Sequence, residues 1–137
     1  MDKRIERELA QLGEGGQRAA LVPSQRGGNN GMAVIYYDVP TAGECLGLPK
    51  TTEVIVPVPG GYPAGAIDLA GLPSGSPFLG KAVGDVNVHG GMTAEGREWR
   101  LVSYHPHNGG GAPPWDSMIY GFHTYFPELV SWLGQLS

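Results

Sequence analysis

Residues 98–115 read Glu98-Trp99-Arg100-Leu101-Val102-Ser103-Tyr104-His105-Pro106-His107-Asn108-Gly109-Gly110-Gly111-Ala112-Pro113-Pro114-Trp115. Trp99, Leu101 and Ser103 alternate with Arg100, Val102 and Tyr104, the two-residue period of a β-strand, and the residues are strand formers. Pro106 ends the ladder because its nitrogen carries no hydrogen to donate. Gly109, Gly110 and Gly111 open backbone shapes that other residues avoid, and Pro113 and Pro114 stiffen the chain again. His105, His107 and Asn108 therefore stand where a rigid strand becomes a turning loop, the kind of place where scaffolds display working side chains.

The same stretch carries a resemblance. His105-Pro106-His107-Asn108 resembles the His-Pro-Asn segment of ubiquitin-conjugating enzymes, with one residue inserted. Gly61-Tyr62-Pro63, followed by Asp68 and Pro73, is similar to the Tyr-Pro segment that closes their third strand. The ordered set Tyr62-Pro63, Asp68, Trp99, Ser103-Tyr104-His105, Pro114-Trp115 and a helix near Leu129 to Leu136 resembles the bacterial, prokaryotic ubiquitin-conjugating-like family E more closely. That resemblance implies an α+β, UBC-like fold filling one domain over residues 1–137. Its parts would be an N-terminal helix, a meandering antiparallel sheet with an extra hairpin, a long Pro/Gly loop and a C-terminal helix. It also implies a ubiquitin-like protein and an activating-type enzyme as partners, with a metal-dependent deconjugating peptidase as a further one.

Composition sets the outer bounds. A chain of 137 residues fits one domain. A domain near this size buries about 70% of the surface its unfolded chain exposes, so it can build a core. Hydrophobic residues at 41% and charged residues at 16% fit a globular protein. The 23 glycines and 12 prolines are interleaved with apolar runs, so they read as long ordered loops. A net charge of -4 without basic clusters argues against a nucleic-acid surface. The single cysteine, Cys45, rules out an internal disulfide and suits the reducing cytoplasm. No apolar run is long enough to span a membrane, and the charged N-terminus lacks the apolar segment of a secretion signal.

In chain order, Asp2 to Leu12 reads as a short amphipathic helix with Ile5, Leu9 and Leu12 on one face, ended by Gly13, Gly15 and Gly16. Its face either packs on a sheet edge or docks an activating enzyme. Strands are expected at Ala19 to Ser24, Met32 to Val39, Glu53 to Val58 and Ala66 to Leu72. Lys81 to His89 and Arg97 to Tyr104 are expected to pair as the extra hairpin, turning over Gly90 to Gly96. Asp116 opens one helical turn. Thr124 is the expected cap of the last helix, which carries Phe126, Leu129, Val130, Leu133 and Leu136 on one face.

For chemistry, the telling feature is a missing thiol. A conjugating enzyme carries its cargo as a thioester, because a thiolate is both a good nucleophile and a good leaving group near neutral pH. The resembled enzymes place that cysteine shortly after His-Pro-Asn, and nothing from Gly109 to Ser117 is a cysteine. Cys45 lies in the connection before the third strand, where it acts either as a thiol or as a small buried hydrophobe. His105 is the leading catalytic candidate, as a base, acid or nucleophile; Ser103, two residues away on the same strand face, would orient its ring. Attack by that ring on a carbonyl would give an acyl-imidazole. Asn108 could donate to an oxyanion, or simply form an Asn-Gly turn. His105 and His107, with either a third histidine (His89 or His123) or Asp116, form an alternative zinc set, although no established metal-ligand spacing is present. Neither Gly109–Gly111 nor Gly80-Lys81 fits a nucleotide loop, and no cofactor is expected.

Three functions follow as expectations. The first is a ubiquitin-conjugating-like protein that handles a ubiquitin-like C-terminus through the His105 loop. The second is a non-catalytic scaffold binding the ubiquitin-like protein or the activating enzyme. The third is a metal-dependent enzyme using the histidines.

Overall fold

The computed structural model describes residues 3–79, 90–104 and 115–135. It opens with α1 (Lys3–Glu14), followed by β1 (Ala19–Arg26) and β2 (Asn29–Pro40). A 3₁₀ turn at Gly43–Leu46 leads to β3 (Thr51–Pro57). Then come β4 (Ala70–Pro73), β5 (Gly91–Ala94), β6 (Arg97–Val102) and α2 (Phe122–Leu133). Two hairpins have two-residue turns in which both residues take positive φ: Gly27-Gly28 (58° and 83°) and Glu95-Gly96 (53° and 71°). That geometry matches the natural twist of the flanking strands.

All pairings are antiparallel, and the strands close into a barrel in the order β1-β2-β3-β4-β6-β5. Closure comes from β5 returning to β1, with Ser24 opposite Ala94 and Gln25 opposite Thr93. On the other side, β3 meets β4 at the single pair Ile55 and Gly71. The UBC-like fold expected from the resemblance, a helix on an open meandering sheet, is therefore corrected to a closed six-stranded antiparallel barrel with two short helices.

The physical reason lies in the apolar runs. A one-sided sheet alternates buried and exposed residues, yet Ala33, Val34, Ile35 and Tyr36 are all buried, as are Val54, Ile55 and Val56. One set of side chains fills the barrel: Val22, Ala33, Ile35, Ile55, Leu69, Met92, Ala94, Trp99 and Leu101. The opposite set, including Val34, Tyr36, Val54, Val56, Leu72 and Val102, packs outward beneath Ile5 and Leu12 of α1 and Phe122, Tyr125, Leu129 and Trp132 of α2. Trp99, fully buried, donates its indole N–H to the Ala94 carbonyl at 3.2 Å. The interior is tight at Gly71, where a Cβ would lie 2.6 Å from Ile55 Cγ2.

Local boundaries also shift. Gly91–Ala94, expected within a turn, forms β5, because Glu95-Gly96 suffices to reverse the chain. The expected strand Lys81 to His89 lies outside the described residues. β6 ends at Val102, so Ser103 and Tyr104 stand past the ladder. The last helix begins at Phe122 with Gly121 as its cap, which puts Thr124 inside the first turn and Pro127 in the second. Leu136, expected on its apolar face, lies outside the described residues.

Candidate functional site

The residues proposed for chemistry divide between described and undescribed segments. His105 and Asn108 lie outside the described residues, as do His89 and His107. Ser103 is described, partly buried in the extended segment after β6. The described residues on either side of positions 105–114 are Tyr104 and Trp115, and both are aromatic anchors.

The first anchor is Tyr104. Its hydroxyl donates to the Glu128 carbonyl at 2.9 Å, and its own carbonyl accepts from the Leu69 N–H at 2.8 Å. Its ring stacks on Trp132 at 5.2 Å and tilts against Tyr125 at 6.0 Å. Burial, with Glu128 nearby, pushes the Tyr104 hydroxyl well above the ordinary tyrosine pKa, so it stays a donor.

The second anchor is Trp115. Its indole N–H donates to the Pro63 carbonyl at 2.9 Å. Its ring lies 6.3 Å from Tyr62 and 5.7 Å from Tyr120. Tyr62 continues inward to Phe122 at 5.1 Å. The segment beyond Trp115 turns on Asp116, whose side chain accepts the Met118 N–H and whose carbonyl accepts the Ile119 and Tyr120 N–H groups. Asp116 thus opens a single hydrogen-bonded turn, closed by the bond from the Tyr120 N–H four residues on.

Beneath this cluster sits a buried carboxylate. Glu8 is 6% exposed. Its Oε1 accepts the Tyr62 hydroxyl at 2.6 Å and the Phe122 N–H at 3.0 Å, and its Oε2 pairs with Arg4 Nε at 2.8 Å. It thereby caps α2 from another helix, where a negative charge meets the positive end of the helix dipole. Burial and then the bond to Glu8 raise the Tyr62 pKa well above its ordinary value, which keeps the donor protonated. The sequence held a signal for Glu8: with Ile5, Leu9 and Leu12 it falls on the apolar face of α1, where a charge requires partners.

Tyr62 also lines an apolar groove of about 520 Å³ with Ile5, Leu21, Met32, Val58 and Pro59. A more polar cleft of about 550 Å³ lies elsewhere, against the β1–β2 turn and the Glu98, Arg100 and Thr93 positions of the last hairpin. It includes none of the motif residues apart from Trp99. Among the described residues, no group of three or more His, Cys, Asp or Glu side chains is placed to hold a metal ion. His123, the one described histidine, lies in α2, and Cys45 belongs to the 3₁₀ turn. Among the described residues, no helix is long and apolar enough to cross a membrane.

A scan against protein-family models, a search of curated proteins and a search of solved structures each return no match.

Proposed function

We propose that this chain works in a ubiquitin-like modification pathway of the cytoplasm, handling the C-terminal tail of a ubiquitin-like protein at the residues between Tyr104 and Trp115. The barrel removes shared architecture as an argument for this reading. The support that carries it is the bond from the Trp115 indole to the Pro63 carbonyl. Pro63 and Trp115, which belong to motif segments recognised separately in the sequence, meet in space, and Trp115 directly follows in sequence the segment bearing His105 and Asn108. Segments that meet in space form a site more readily than segments that merely share an order. The apolar groove shares Tyr62 with this cluster, giving a ligand's body a surface continuous with the Tyr62–Trp115 contact.

In the catalytic form of the reading, a His105 ring nitrogen bonds to the tail's carbonyl carbon as the activating group leaves. Asn108 donates to the oxygen, and the acyl group then passes to an acceptor. A second form is favoured by a specific observation: residues 105–117 contain no cysteine, and Cys45 belongs to a separate turn. In that form the chain binds the tail, or the activating enzyme, without a covalent step.

The test is incubation with the ubiquitin-like protein, its activating-type enzyme and ATP. A covalent adduct that survives Cys45→Ala but not His105→Ala supports the catalytic form. Tail-dependent binding that survives both substitutions, with no adduct, supports the binding form. Absence of both adduct and tail-dependent binding ends the proposal.

A further inference from the structure

We infer that Glu8 is the positioning residue of this site: through Tyr62 on one side and Arg4 on the other, its carboxylate sets where the Trp115 indole stands. The inference rests on the tail-handling reading for its functional meaning, and on geometry alone for the positioning itself.

Glu8 is the sole charged or polar residue in the buried core among the described residues. An ordinary helix cap would need only the Phe122 N–H. Glu8 does more. Three described neighbours of Trp115 are tied back to it. Tyr62, against the indole, donates to Oε1, and Pro63, which accepts the indole N–H, is the next residue in the chain. Tyr120, on the other side of the indole, gives its carbonyl to Arg4 at 3.0 Å, as Ser117 does at 2.5 Å. Arg4 is itself held by Oε2. The carboxylate has little freedom to drift, because Gly121 closes over it: a Cβ there would stand 2.5 Å from Oε2. A buried acceptor serving several donors in low dielectric fixes geometry more firmly than the same bonds in water. α1 therefore reaches across the chain to hold Trp115, about a hundred residues later.

The test uses the full chain with ¹⁵N-labelled indoles. Its probe is a free-carboxylate peptide ending in Gly-Gly. Glu8→Ala is expected to shift the Trp115 indole resonance, speed its hydrogen exchange and weaken peptide binding, the last two by about tenfold. Glu8→Gln keeps a carbonyl oxygen for Tyr62 and Phe122 and should restore most of each. Leu12→Ala, which loosens the same helix one turn beyond Glu8 and removes none of these hydrogen bonds, should lower the melting temperature and leave the indole in place. Should Glu8→Ala fail to fold, Tyr62→Phe removes the donor alone and must still move the indole. An indole unmoved by the Glu8 and Tyr62 substitutions, or moved as far by Leu12→Ala, overturns the inference. An indole that responds as expected in a chain that binds no peptide upholds the positioning role and counts against the tail reading.

Discussion

The Trp115 indole donates to the carbonyl of Pro63, 52 residues earlier, at 2.9 Å. This bond ties Trp115 to the segment that follows β3. Replacing Trp115 with Phe keeps a ring against Tyr62 and Tyr120 but leaves the Pro63 carbonyl without this donor. The expected cost is about 1–2 kcal/mol, read as a lower urea midpoint, together with weaker tail binding. Trp115→Ala should cost more, because the ring contacts go as well.

Closure of the barrel makes its own demand on Gly71. Added to an open sheet, a methyl group would find room. Inside this barrel it meets Ile55 Cγ2 at 2.6 Å and Leu101 Cδ2 at 3.1 Å. Gly71→Ala should destabilise the protein by about 1–3 kcal/mol through overpacking. Trp99→Ala, which empties the same interior, should cost about 3–5 kcal/mol. Guanidinium unfolding of both variants checks the pair, and a neutral Gly71→Ala would contradict a filled, closed barrel.

The outer layer depends on a buried hydroxyl. Tyr36 is fully buried on β2 and donates to the Phe122 carbonyl at 2.7 Å, tying the sheet to the first turn of α2. Tyr36→Phe should cost about 1–3 kcal/mol, since the buried carbonyl loses a partner that water cannot replace. Tyr104→Phe, at a partly buried site, should cost less. Thermal unfolding of the two variants side by side measures the difference.

Alkaline stability follows from the tyrosines. Burial raises the hydroxyl pKa values of Tyr36, Tyr62, Tyr104 and Tyr125 above the ordinary value of 10.0. In the unfolded chain these groups release their protons near pH 10, while the folded chain retains them. Above that pH the folded state binds more protons, so stability falls as pH rises. Their contribution is fully present below about pH 10 and is lost as pH climbs toward the folded values. Unfolding midpoints should be flat with respect to these groups up to that point and drop beyond it. Tyrosinate absorbance from these four tyrosines should then appear together with unfolding rather than ahead of it.

Much of the secondary structure is legible in the residues, and closure is not. Ile5, Leu9 and Leu12 announce α1, and the Met32 to Val39 run announces β2, because local periodicity reflects local geometry. Two-sided burial is also written there, in the unbroken apolar triplet Val54-Ile55-Val56, which a one-sided sheet does not require. What the chain does not advertise is that β5 pairs with β1. Only two residue pairs make that seam, Ser24 with Ala94 and Gln25 with Thr93, and nothing in their side chains marks them as partners. The candidate site divides in the same way. Tyr62, Trp115 and Ser103 stand out by motif, whereas Glu8 looks like one more helix charge until its position on the apolar face is weighed.

The most direct measurement is a titration of the ¹⁵N-labelled chain with a ubiquitin-like protein, intact and with its tail removed. The account predicts that the intact protein shifts the Trp115 indole and the Tyr104 amide in a saturable way. The Trp99 indole inside the barrel should stay fixed, and the tailless protein should leave all three unchanged. Equal shifts with both proteins, or none with either, would contradict it.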